Sequence, residues 1–229
     1  MSTREPVIIG GIARRSVTEV VDLFGSNKAY LTGWAASCVY RGRDFESDRE
    51  DAAQLGTDVH KWIARHFRGE AQPEGVDPFD TQTHDNVRAL FKAWQVWAFA
   101  RDIEMVEIEK KMILEEMCAH GTPDAKGVET IGTFQGRWIY DWKTSSKGNA
   151  RLEHWIQLAG YLLMCLALGE KIDGVCIVTI DKKKMRAREE RKTVEEMAPF
   201  CAIYKNLHAL SLTLDAHAIK VGKTESDGE

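Results

Sequence analysis

The hydrophobic periodicity of the chain changes near residue 102, and that change decides its fold class. Upstream, Leu90, Phe91, Trp94, Trp97 and Ala98 recur at the spacing of one helix face. Downstream, MVEIEKKMIL (105–114), TPDAKGVE (122–129) and RWIYDWKTS (137–145) alternate as strands do, with a turn near Gly132–Gly136. A helix over 151–168 follows, and then GVCIVTI (174–180), a compact β-branched strand. Helices, three strands, a helix and a strand predict a mixed central sheet flanked by helices, an α/β domain with an N-terminal helical portion.

The helical portion has its own signals. Ser16 and Glu19 have capping-box spacing, so a helix follows them. KAYLTGWAASCVY (28–40) reads as a second. The acidic run Asp44, Glu46, Asp48, Glu50 and Asp51 leads into a third near 50–68, because carboxylates favour the positive end of a helix dipole. The proline- and glycine-bearing stretch 69–82 reads as a loop, and 83–101 as the fourth helix. From about 193 the chain reads as one more helix and a polar tail. The expectation is one domain over 1–229: a mainly helical part to about 101, an α/β core over about 102–192, and the C-terminal helix and tail over about 193–229.

At 44% hydrophobic and 29% charged, the 229 residues can bury a real core. The net charge of −4 gives no global attraction to nucleic acid, so any such binding needs a local basic patch. The most apolar run, LAGYLLMCLAL (158–168), has the length of a buried helix rather than a membrane span. MSTREPVIIGG lacks the pattern of a signal peptide, so a cytoplasmic protein without a membrane partner is expected. Cys38, Cys118, Cys165, Cys176 and Cys201 are odd in number and form no CxxC; buried free thiols are the expectation.

Two short stretches carry the chemistry: GTPD (121–124) and YDWKTSS (140–146). Asp124 and Asp141 fall on adjacent predicted strands, about 4.8 Å apart, so both carboxylates could converge on one cation. Oxygen ligands suit a hard ion, Mg²⁺ or Mn²⁺. Lys143 is two residues beyond Asp141, hence on the same strand face, while Trp142 points to the other face and packs. An isolated Asp–x–Lys is just as readily a surface ion pair of little value. Gln157 and Tyr161 share one helix face at i and i+4. Gly56-Thr57-Asp58-Val59-His60 puts a histidine on the third helix, where alone it would more often be a satisfied structural histidine than a ligand.

Together GTDVH, Glu109, GTPD, DWK and QLAGY, in that order, resemble the motifs of the PD-(D/E)XK nucleases. The upstream histidine and the QxxxY pair make the chain similar to the RecB-like exonuclease branch, over roughly residues 16–180. The resemblance implies a restriction-endonuclease-like core. It implies that Asp124, Asp141 and His60 bind Mg²⁺ or Mn²⁺, as one ion or two, with the Trp142 carbonyl as a further ligand. Lys143 would position or activate the attacking water, and Gln157 and Tyr161 would hold the site and the nearby nucleic-acid strand. Glu109 matches an acidic residue of some relatives; Glu107 and Glu115 are rivals for that place. Some relatives carry an iron–sulfur cluster, but the later cysteines here do not gather into the required set, so none is expected.

A DNA track is expected along DKKKMRAREERK (181–192), seven basic residues against three acidic, with Lys182, Lys183, Lys184 and Arg186 foremost. A solvated hairpin or helix surface is the competing reading. Lys147 and Arg151 adjoin the DWK strand, and Ser145 either contacts phosphate or caps the next helix; Arg14 and Arg15 are further phosphate candidates. The expected function is thus metal-dependent DNA hydrolysis, foremost as an exonuclease of recombination, repair or phage DNA processing in a bacterial or phage-infected cell. A structure-selective flap or junction endonuclease, or a non-catalytic nucleic-acid-binding module, would share the fold. No GxxxxGK[ST] motif is present, so the chain has no ATPase motor of that kind. A recombinase, a single-strand annealing protein or a helicase would be natural partners; a homo-oligomer is open, and a ring around DNA, as in some phage relatives, would support processive exonuclease action.

Overall fold

The computed structural model describes residues 6–24, 29–71, 81–145 and 149–217. The order of elements is a hairpin of β1 (Val7–Ile9) and β2 (Ile12–Arg14), helices α1 (Val17–Asp22), α2 (Ala29–Tyr40), α3 (Phe45–Phe67) and α4 (Thr81–Phe99), and strands β3 (Ile103–Ile108), β4 (Met112–Leu114), β5 (Ala119–Gly121), β6 (Ala125–Glu129) and β7 (Gly136–Ser145). Helix α5 (Leu152–Ala167), strands β8 (Gly174–Asp181) and β9 (Arg186–Thr193), and helix α6 (Ala198–Ala216) complete it. The main sheet has the order β3-β6-β7-β8-β9; β7 and β8 are parallel and the other pairs antiparallel. The protein is thus mixed α/β, as the periodicity predicts. Among the described residues, no helix is long and apolar enough to cross a membrane.

The sheet separates two cores, and strand alternation sorts the residues between them. One face carries Ile139, Val175 and Ile177 against Val17 and Val20 of α1, Ile156, Leu158 and Leu162 of α5, and Tyr204 of α6. The other carries Tyr140, Trp142, Val178 and Ile180 against Val59 and Ile63 of α3 and Leu90, Trp94 and Trp97 of α4. The α4 aromatics are therefore core: Trp94 meets Trp142 edge-on at 5.8 Å and Trp97 does so at 5.9 Å. Strand β8, covered on both faces, is buried along its whole length, which is why it reads as a continuous apolar run.

Several boundaries depart from expectation. MVEIEKKMIL is two strands, not one. The chain leaves the main sheet at Glu109, whose φ of +46° is left-handed, and Met112–Leu114 pairs with Ala119–Gly121 as a separate ribbon. The consecutive charges Glu109, Lys110 and Lys111 leave no residue to bury at the break. Strand β6 begins at Ala125 and Gly121 ends β5, so Thr122, Pro123 and Asp124 of GTPD are the connection between the two strands. Helix α3 starts at Phe45, earlier than predicted, because Asp44 caps it through the Ser47 amide. The Ser16–Glu19 capping box is present as predicted. The hairpin β1–β2 makes the first hundred residues less purely helical; Gly10 and Gly11, both at positive φ, supply its turn. The predicted 69–82 loop falls largely outside the described residues, as does the tail after 217.

The basic stretch 181–192 is a turn and an edge strand. Its alternation is among charged groups: Arg186 and Arg188 face out, while Glu189 and Arg191 turn inward. Arg191 reaches Glu129 at 2.5 Å and Glu189 at 3.0 Å, and Arg101 grips Glu189 at 2.8 Å. Inward-pointing charges on an edge strand discourage pairing with another chain.

Candidate active site

The site forms where β6 begins beside the middle of β7. The antiparallel pair Ala125↔Tyr140, carried one step outward, sets Asp124 opposite Asp141. Asp141 and Lys143 lie on the α5 face of β7, and Trp142 is buried in the opposite core, as the strand alternation requires. The Trp142 amide donates to Asp124 Oδ2 at 2.7 Å, which ties the connection before β6 to β7. From α3, His60 Nδ1 approaches Asp124 Oδ1 at 3.4 Å. Gly56, one turn earlier, permits that approach: a Cβ there would stand 3.0 Å from Thr144 Oγ1.

The Lys143 ammonium lies 2.9 Å from Asp141 Oδ1 and 2.8 Å from Oδ2. It also donates to Gln157 Oε1 at 3.2 Å. The Gln157 amide nitrogen in turn donates to Tyr161 Oη at 3.3 Å and to Thr18 Oγ1 at 3.2 Å. The helix α5 face predicted from the i, i+4 spacing thus abuts the DWK strand. Thr18, on α1, is a member of the site that the sequence reading missed; the four-residue capping box around it advertised a helix start and nothing more.

Charge follows burial. Asp141 is 2% exposed, and burial with the like charge of Asp124 pushes its pKa up to about 6 despite Lys143. For Asp124, burial also favours the neutral acid, but the His60 charge and contact, Lys143 and the Trp142 amide prevail and hold it below the usual carboxylate range. Burial disfavours a charged His60, yet Asp124 raises its pKa above that of a free imidazole. Lys143 likewise stays charged in spite of burial because two carboxylates face it. It is therefore a hydrogen-bond donor and electrostatic clamp in this arrangement, not a base.

The donor set can be tested against a divalent cation. Asp141 Oδ2 is buried and accepts no hydrogen bond; its 2.8 Å contact with Lys143 is a charge contact without hydrogen-bond geometry. A lone pair left open at full burial is costly unless a cation or donor completes it. Among the described residues, no three His, Cys, Asp or Glu side chains are gathered into a ready-made metal cage. Two carboxylates and one imidazole nevertheless supply oxygen and nitrogen donors of the kind Mg²⁺ and Mn²⁺ accept, with the remaining positions left to water.

Other predicted site residues fare differently. Glu109 is turned to Arg68 at 3.1 Å, and Glu107 to Lys126 at 2.5 Å and to Lys110, so these carboxylates are engaged in ion pairs. Only the Glu109 backbone joins the site region, donating to the Asp124 carbonyl at 2.9 Å. Ser145 ends β7 and is not the cap of α5, whose N-cap is Arg151. Arg151 pairs with Glu153 at 3.0 Å and contacts His154. Lys182 is turned inward toward the Ala52 carbonyl at 3.4 Å, whereas Lys183 and Lys184 are exposed on the β8–β9 turn and Arg186 is exposed at the start of β9. That turn sits beside the C-terminal end of β7, at the pair Ser145↔Asp181. Arg15 forms an ion pair with Asp215, and Lys147 lies outside the described residues. The thiols of Cys38, Cys165 and Cys176 are buried and free, as expected.

No family model matches the chain, and no curated protein is similar to it. Among solved structures, the chain is similar to the crystal structure of SSO0001, with a TM-score of 0.40 and 14% identity over 92% of this chain and 79% of that one.

Proposed function

We propose that the protein is a divalent-metal-dependent DNA nuclease of the PD-(D/E)XK type, acting foremost as an exonuclease. The observation that carries this reading is the buried Asp141 carboxylate, with one oxygen unsatisfied, set opposite Asp124 and clamped by Lys143. Asp124, Asp141 and His60 would hold Mg²⁺ or Mn²⁺, with the Trp142 carbonyl as a further oxygen. When bound, the ion would supply an activated water and neutralise charge on the phosphate. Lys143 orients that water and donates to the phosphate as negative charge grows on it. Gln157 fixes the direction of Lys143, and Tyr161 backs Gln157. Exposed Lys183, Lys184 and Arg186 would take backbone phosphates of the DNA, independently of its sequence.

The test compares linear duplex, single-stranded and closed circular DNA with Mg²⁺, Mn²⁺ or EDTA, with products sized on gels and Lys143→Ala as control. The expected result is metal-dependent digestion from ends that the substitution abolishes. Cleavage in EDTA, or at full rate in Lys143→Ala, would overturn the reading. Cutting of the circle would make the enzyme an endonuclease instead.

A further inference from the structure

We infer that Thr18 is a positioning residue, which anchors the amide nitrogen of Gln157 while its carbonyl faces Lys143; this rests on the nuclease reading for its consequence in catalysis, but not for its geometry. A glutamine side chain has one carbonyl and two N–H donors, and its orientation is decided by the partners it meets. Here the carbonyl accepts from Lys143 at 3.2 Å, and the amide nitrogen faces two oxygens, Thr18 Oγ1 at 3.2 Å and Tyr161 Oη at 3.3 Å. Lys143, a donor only, decides which end faces it, because a flipped amide would point N–H groups at the ammonium, whereas a hydroxyl can serve either end of the amide. Tyr161 alone leaves the second N–H without a partner. Thr18 engages it, and so anchors the far end of the amide whose carbonyl Lys143 holds.

The rest of α1 holds Thr18 at that distance. The helix has only six residues, too few to be stable alone. Its Ser16–Glu19 capping box closes the first turn. Val17, 1% exposed, is wedged against Gly121 and Gly160; a Cβ on Gly160 would come within 2.7 Å of it, and one on Gly121 within 3.1 Å. Arg15, just ahead of the helix, pairs with Asp215 of α6. Thr18 itself stays at the exposed rim and adds no core contact, so its hydroxyl can be removed without emptying a core site.

The experiment uses Thr18→Val, which keeps the shape and deletes the hydroxyl, and Thr18→Ser, which restores it. In the full chain, Thr18→Val should lower kcat for DNA cleavage about 10-fold, the factor that about 1.4 kcal/mol represents. KM and the melting temperature should stay unchanged, and Thr18→Ser should return kcat to within about 2-fold of the parent. Independently, the Gln157 side-chain amide protons, identified by their absence in Gln157→Glu, should exchange with water at least about 10-fold faster in Thr18→Val and recover in Thr18→Ser. Unchanged exchange overturns the inference whether or not the protein cleaves DNA. Faster exchange without DNA cleavage by the parent protein overturns the nuclease reading alone. A fall in kcat that tracks a fall in melting temperature, or that serine does not rescue, makes Thr18 merely structural.

Discussion

Asp124 stands across the β6–β7 ladder from Asp141, and the two carboxylates have different partners: His60 and the Trp142 amide for the first, Lys143 for the second. The division matters because Asp141 is the more deeply buried and its neutralisation rests on one side chain. Removing Lys143 leaves a buried carboxylate unpaired, which costs about 3–5 kcal/mol where nothing relaxes. In urea unfolding at neutral pH with EDTA, Lys143→Ala should lose about 2–4 kcal/mol. The double variant Lys143→Ala/Asp141→Asn should recover more than half of that loss, because the charge that needed a partner is gone. A double variant no more stable than Lys143→Ala would show that packing, not charge, carries the effect.

His60 reaches the site from a helix far upstream and stands 3.4 Å from an Asp124 carboxylate oxygen. If it ligates the cation, His60→Ala removes one of three side-chain ligands. The Mn²⁺ concentration for half-maximal DNA cleavage should then rise at least about 10-fold, the lower end of what perturbing a metal site costs. If it serves only to orient Asp124, His60→Gln should restore the parent requirement, since an amide can still donate to the carboxylate. Titration of cleavage against Mn²⁺ in the three proteins separates these outcomes.

Lys183 and Lys184 project from the turn, and Arg186 from the start of β9, beside the end of β7. Phosphate contacts of this kind weaken with salt by about 0.9 in log K per log [salt] for each charge engaged on duplex DNA. The triple alanine variant should therefore bind every duplex sequence more weakly and show a salt slope shallower by up to about 3. Its cleavage rate at saturating DNA should stay near that of the parent. Anisotropy of labelled duplex across a NaCl series measures the slope, and an unchanged slope removes this turn from the DNA path.

The strands and helices that place the site were legible because each buries a periodic face. DWK could be read as Asp and Lys on one side and Trp on the other, since successive side chains of any strand point to opposite faces. Glu109 could not. Its carboxylate is aimed by a left-handed backbone turn and by Arg68, and neither leaves a pattern in the letters. Thr18 was hidden for a related reason: its partner lies 139 residues away, and its own helix reads as a capped, amphipathic turn. Strand β9 could be read only as a hairpin or helix surface, because its inward residues include Glu189 and Arg191, whose burial depends on pairing with Arg101 and Glu129 rather than on being apolar. The hairpin β1–β2 did leave a signal, Gly10-Gly11 between two apolar runs, overlooked at a chain terminus.

His154 gives the fold a measurable response to acid. It is buried on the first turn of α5, where burial and the charges of Lys143 and Arg151 lower its pKa to about 3. Its ring nitrogens lie 3.2 Å and 3.3 Å from Arg151 donors; a neutral imidazole can accept at only one of them, and a protonated ring at neither. Between pH 6.5 and 3 the unfolded chain therefore binds a proton at this residue that the folded chain refuses, so stability falls as pH drops through that window. From pH 7.5 to 5.0 the loss attributable to His154 is about 2 kcal/mol. His154→Gln, which keeps an acceptor for Arg151 and cannot be protonated, should lose less stability over the same interval by about that amount. Urea midpoints at the two pH values test this, and equal acid sensitivity in parent and variant would place the acid response elsewhere.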